Sequence, residues 1–131
     1  MKSLVRFLLF MILASLIMFS GCEEEPLPPT LNTLPVTDVA LDSAKSGGNV
    51  TDDGGEPVTA RGVVWCTSEY PMVDINKGMT EDGEGTGEFT SEITFLNPVT
   101  TYYVRAYAVN SAGNGYGDPI EFTTPSPVTE E

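Results

Sequence analysis

Ten consecutive residues, Thr-Tyr-Tyr-Val-Arg-Ala-Tyr-Ala-Val-Asn at positions 101–110, constrain the fold more than anything else in this 131-residue chain. An extended strand sends successive side chains to opposite faces. Tyr102, Val104, Ala106 and Ala108 therefore share one face, and Tyr103, Arg105 and Tyr107 share the other. The first face is apolar and asks to be covered. The second carries a charge and two phenols and suits an outer surface.

The rest of the central sequence is punctuated in the same idiom. Short β-rich runs lie between clusters of Gly, Asp, Asn and Pro, and no convincing helical period appears. Strands are expected at residues 36–40, 44–51, 59–67, 88–95, 101–110 and 120–124, with a short irregular one within 71–80. Asp52-Asp53-Gly54-Gly55 and Glu81-Asp82-Gly83-Glu84-Gly85 read as turns. In the third run Val63 and Trp65 share a face, opposite Val64 and Cys66. Short strands at this spacing imply an all-β sandwich.

The segment from 96 to 110, followed by Gly113 and Gly115, resembles the fibronectin type III domain, in the variant found in surface lipoproteins of Bacteroidetes. The resemblance rests on Leu96, Pro98, Thr100 and Tyr102 at alternate positions, continued by Val104, Ala106, Ala108 and Asn110. It extends over residues 36–124 and implies an immunoglobulin-like antiparallel sandwich of about seven strands. The family's tryptophan on the second strand is missing, with Asn49 and Val50 near its place, and Trp65 on the third is expected to supply the bulk. Tyr102 is expected to form a tyrosine corner, ring inward and hydroxyl tied to backbone near Leu96, with Leu96 and Phe95 sealing that end. The topology also implies that loops at 51–57 and 111–118 gather at the N-terminal end.

The start of the chain reads as an export signal. Lys2 and Arg6 precede an apolar run from Phe7 to Phe19, and Ser20-Gly21 leads directly into Cys22. The run is short for a membrane span. It resembles a lipoprotein signal over 1–21, which implies acylation of Cys22 (palmitate-type chains) and cleavage before it. Glu23-Glu24-Glu25 resembles the acidic signal that sends such lipoproteins to the outer face of the outer membrane; the periplasmic face is the alternative. Pro26, Pro28, Pro29 and Pro35 then suggest an extended tether over 22–35, spanning roughly 35–40 Å at about 3.1 Å per residue. Residues 125–131 read as a disordered tail.

Charge narrows the partners. The chain carries 19 acidic and 6 basic residues, a formal charge of −13. Lys2 and Arg6 lie before Cys22 and every acid lies after it, so loss of the signal removes two positive charges and leaves −15. Such a surface repels phosphate backbones, so no nucleic acid partner is expected. Histidine is absent, which removes the usual general base and the commonest metal ligand. No nucleophile elbow, phosphate loop or metal cluster appears. No enzyme, cofactor or metal is expected. Cys66, with no activating partner, reads as a small apolar packing group.

Three features could carry function. Tyr103, Arg105 and Tyr107 form a ladder that would suit a protein or glycan surface, although cross-strand packing explains the same residues. The acids Asp52, Asp53, Glu56, Glu81, Asp82 and Glu84 could suggest calcium, but their spacing matches no calcium loop, and turn chemistry accounts for them. Asp42-Ser43-Ala44 resembles a three-residue O-glycosylation motif of Bacteroidetes, which implies a sugar on Ser43. The expected function is a lipid-anchored, monomeric, non-catalytic binding or adhesion module, with a passive spacer in a surface assembly as the alternative.

Overall fold

A computed structural model of the chain describes residues 24–128; the expected signal segment, Cys22 and the last three residues lie outside them. Eight strands form: β1 (Thr30–Thr33), β2 (Ala44–Asp52), β3 (Ala60–Cys66), β4 (Gly78–Met79), β5 (Gly87–Ile93), β6 (Thr101–Asn110), β7 (Gly113–Tyr116) and β8 (Ile120–Thr123). One sheet has the order β1-β2-β5. The other has the order β4-β3-β6-β7, with β8 also pairing with β6. All pairings are antiparallel. The all-β sandwich expected from the strand spacing is the fold observed.

The core lies between the sheets and follows the alternation. Tyr102, Val104, Ala106 and Ala108 of β6 are buried there with Val63 and Trp65 of β3, facing Leu31, Val50, Phe89 and Ile93 of the other sheet. Burial of such an aliphatic side chain stabilises by roughly 1.5–3 kcal/mol. Trp65 supplies bulk to the core, as expected. Gly48 explains how closely the sheets approach: a Cβ there would lie 2.6 Å from Ala106 Cβ and 2.7 Å from the Phe89 ring. The glycine that weakens β2 as a strand is the one that lets the layers meet.

Two strands fall where loop or tether was expected. The first strand is Thr30–Thr33, and of the expected strand at 36–40 only a single bridge remains, Thr37 to Lys45. From Leu27 onward the proline-rich stretch is tertiary structure. Leu27 N donates to Gly54 O (2.9 Å), Pro29 is buried, Leu31 enters the core, and Ala106 N donates to Thr33 Oγ1 (3.0 Å). The prolines flank β1 and none falls within its Thr-Leu-Asn-Thr sequence, so none removes an N–H from the ladder. The second such strand is β7, whose Gly-Asn-Gly-Tyr sequence reads as loop but pairs with the second half of β6.

The strand ends define two poles. At one, Leu27 meets the turn at 52–55 and Asn110; at the other, the connections 38–43 and 94–100 meet the chain leaving β8.

Candidate functional site

The outer face of the β3-β6 sheet is covered. Val64, Tyr107 and Cys66, all on the side away from the core, are 0%, 0% and 7% exposed. The cover is the long connection from Cys66 to β5, which folds back across the sheet. Its fasteners are specific. Arg105 Nε donates to Pro71 O (2.6 Å), and its guanidinium lies 4.0 Å from the Tyr116 ring centroid and 5.8 Å from that of Tyr70. Val73 N donates to Tyr116 Oη (3.0 Å), and Tyr107 Oη donates to Thr80 O (2.5 Å). A Cβ on Gly62 would stand 2.2 Å from Thr80 O, so only glycine lets the cover lie this close to β3.

The expected solvent-facing ladder is therefore corrected. Tyr107 has no exposed surface, Arg105 is engaged by two aromatic rings and a carbonyl, and Tyr103 is left half-exposed. Burial, followed by the charges of Glu81 and Asp82, pushes the Tyr107 phenol up to about 12. Arg105 and Tyr107 hold the cover to the sheet, and Tyr103 alone of the three keeps a partly exposed ring. The signal was in β3: Val63-Val64-Trp65-Cys66 is apolar on both faces, the mark of a strand covered on both sides.

The acidic turns have local partners. Asp52 and Asp53 accept from the N–H groups of Gly54 (2.7 Å) and Gly55 (2.9 Å), the self-contained turns expected of Asp two residues before Gly. Asp82 Oδ2 accepts from Thr80 Oγ1 and Ser91 Oγ, each at 2.5 Å, and Thr80 Oγ1 accepts from Val63 N (2.9 Å). One carboxylate thus links the cover, β3 and β5. Arg61 stitches the same turn down, with Nε donating to Asp82 O and Nη1 to Gly85 O and Thr86 O. Among the described residues no group of three or more His, Cys, Asp or Glu side chains is placed to hold a metal ion.

The remaining expected positions are distributed as follows. Tyr102 is buried and its hydroxyl accepts from Asn97 N (2.9 Å), so the corner forms, with a backbone donor as the partner. Leu96 is buried as expected, whereas Phe95 is 98% exposed and seals nothing. Pro98 is exposed in the turn, and its carbonyl accepts from Thr100 Oγ1 (2.9 Å). Ser43 is half-buried at the β1–β2 connection, its carbonyl accepting from Ala40 N. Cys66 is a buried free thiol, with Sγ 3.0 Å from Ser68 O. Asn110 continues the alternation of β6 in the sequence, and in the structure it joins four backbone groups. Its amide donates to Leu27 O and Asp53 O (2.7 Å each), and its carbonyl accepts from Ala112 N and Gly113 N.

The chain adopts the fold of fibronectin type III domains. The sixth such domain of human fibronectin type III domain containing protein 3 is 24% identical, with a TM-score of 0.58 over 83% of this chain and 96% of that one. The fourth domain of a human protein superposes with a TM-score of 0.54 at 19% identity, over 84% and 88%. The sensor domain of the anti-sigma factor RsgI4 of Pseudobacteroides cellulosolvens gives 0.55 at 17% identity, over 77% of this chain and 98% of that one. No family model matches the sequence, and no curated protein is similar to it.

Proposed function

We propose that this chain is a lipid-anchored, non-catalytic module that works as a monomer at the outer membrane, exposed at the cell surface, by binding a protein or glycan. The observation that carries the reading is the docking of Leu27 onto Gly54 and Asn110. Only five peptide steps separate Cys22 from Leu27, about 17 Å when fully extended. A lipid on Cys22 would therefore hold that pole near the membrane and leave the opposite pole facing outward. The apolar run from Phe7 to Phe19, the Ser20-Gly21 step before Cys22 and the three glutamates after it support the anchor and the surface address. The lack of histidine and the fold's role as a scaffold for loops support a binder over an enzyme.

The test is metabolic labelling with an alkynyl fatty acid. Wild-type chain should take the label and Cys22→Ala should not; label retained on Cys22→Ala overturns the anchor. Protease added to intact cells should remove the domain, and changing Glu23, Glu24 and Glu25 together to Ala should protect it.

One observation favours the spacer reading. The chain enters at one pole and leaves at the other, where Val99 N donates to Pro125 O and Thr124 Oγ1 to Asn97 O. Such through-passage suits a rod element. If an unrelated domain of equal length restores the phenotype of a deletion, the spacer reading replaces the binder.

A further inference from the structure

We infer that the pole opposite the N-terminal segment is a docking surface for a protein that presents apolar side chains among lysines or arginines. The inference deepens the binding reading above and rests on it.

Four apolar side chains stand out from this pole: Phe95 at 98% exposure, Val99 at 66%, Leu41 at 39% and Val39 at 37%. Their loops are tied together, since Leu96 N donates to Asp42 O (3.0 Å) and Val99 N to Pro125 O (3.2 Å). Leu96, between the two most exposed residues, turns inward and is buried. Among the described residues, the non-glycine positions with left-handed backbone are Asp38 (φ 51°), Phe95 (58°) and Val99 (52°). All three sit at this pole.

Left-handed backbone favours glycine or asparagine, and a β-branched valine there is an outlier. Glycine at 95 and 99 would relieve the strain and remove the exposed apolar surface together. Folding therefore gives no reason for Phe and Val at these positions, and strain retained where side chains project into solvent points to a role outside the fold.

Charge selects the partner. Asp42 lies beside Leu96 through its carbonyl, Asp38 and Glu92 line the adjoining cleft, and the cation on the same elements, Lys45, is 3.8 Å from Asp38. Beside them lies a cleft of ≈ 250 Å³ lined by Asp38, Ser43, Lys45, Glu92 and Ile93 among others, space enough for one long cationic side chain. A second copy of the processed chain, which has lost Lys2 and Arg6, would set −15 against −15. Anionic lipid and nucleic acid are repelled by the same charge.

The experiment uses the full chain and a fluorescein-labelled peptide, Lys-Phe-Lys-Val-Lys-Phe-Lys, read by anisotropy. A Glu-for-Lys peptide is the control. The double variant Phe95→Asn, Val99→Asn keeps the net charge and suits the left-handed backbone. It should bind the basic peptide at least tenfold more weakly than wild type while its thermal midpoint holds or rises. Ile75→Ser, an exposed apolar residue on the cover of the β3-β6 sheet and away from this pole, should bind as wild type does. Equal affinity of wild type and double variant would mean attraction by charge alone and overturns the surface, although the module could still be a binder. The proposal also fails if wild type does not bind, if binding is lost only with Ile75→Ser, or if the loss comes with a lower thermal midpoint. A concentration-dependent dimer in sedimentation that the double variant abolishes would put a second copy on this pole and overturn the stated partner.

Discussion

Tyr107 donates its phenolic hydrogen to the carbonyl of Thr80, joining the centre of β6 to the segment that covers it. The phenol has no exposed surface and titrates at about 12, raised by burial first and by Glu81 and Asp82 next. In the unfolded chain a tyrosine titrates near 10. A folded value above the unfolded one means the stabilisation is complete below about pH 10 and is lost as pH rises towards 12. Wild type should lose on the order of 2 kcal/mol across that window through this group. Tyr107→Phe should be less stable at pH 7, by about 1–3 kcal/mol for the unpaired carbonyl, and lack this increment of alkaline loss. Urea melts at pH 8, 10 and 11.5 would show it. Parallel pH profiles for the two proteins would mean Tyr107 does not carry the alkaline sensitivity.

Tyr102 and Tyr103 are neighbours with opposite duties. Tyr102 stacks on Phe122 with ring centroids 5.7 Å apart and accepts from Asn97 N, whereas Tyr103 is half-exposed. Tyr102→Phe keeps the stacking and strips the Asn97 N–H of its partner, so a loss of about 1–2 kcal/mol is expected. Tyr103→Phe should change stability by less than about 0.5 kcal/mol. Equal losses in chemical denaturation would contradict the two-faced reading of β6.

Most strands were legible in the sequence because one physical signal, period-two alternation between turn residues, marks them. β6 begins and ends where that alternation does, and β2, β3, β5 and β8 lie within two residues of expectation. The failures have separate causes. β1 was hidden by prolines that read as tether, and nothing local shows that Leu31 has a core to enter. β7 was hidden by glycines. Phe95 was expected to seal the end of the sandwich, but its left-handed backbone turns the ring outward, a conformation no residue type announces for phenylalanine. The ladder at Tyr103, Arg105 and Tyr107 failed for a tertiary reason. Alternation assigns sides but does not say whether a long connection will return to cover one.

Asp82 binds the cover to both sheets at once through Thr80 and Ser91. Ser91 is 1% exposed, so removing the carboxylate leaves a buried hydroxyl without its acceptor. Asp82→Ala should destabilise by about 2–3 kcal/mol, in the range for hydrogen bonds to charged groups. Glu81→Ala, one residue away and exposed, should cost less than about 0.5 kcal/mol. Thermal melts of the two variants decide it: an equal shift would show that the turn's overall charge matters and Asp82's particular contacts do not.

Asn110 decides whether the N-terminal segment belongs to the domain. Its amide holds Leu27 O and Asp53 O while its carbonyl organises the β6–β7 turn through Ala112 N and Gly113 N, and the residue is 5% exposed. No aliphatic side chain can serve two donors and two acceptors. Asn110→Ala should therefore cost more than a single hydrogen bond, about 2–3 kcal/mol. The loss should also be local. Amide exchange at Leu27, whose N–H is bonded to Gly54 O, should quicken far more than at Val104 in the centre of β6, because Leu27 sits where opening needs only the pole to loosen. Uniform acceleration at both sites would show global destabilisation and no hinge at this pole. Unchanged exchange at Leu27 would show that β1 alone, paired to β2 and bonded through Thr33 to Ala106, is enough to hold the segment down.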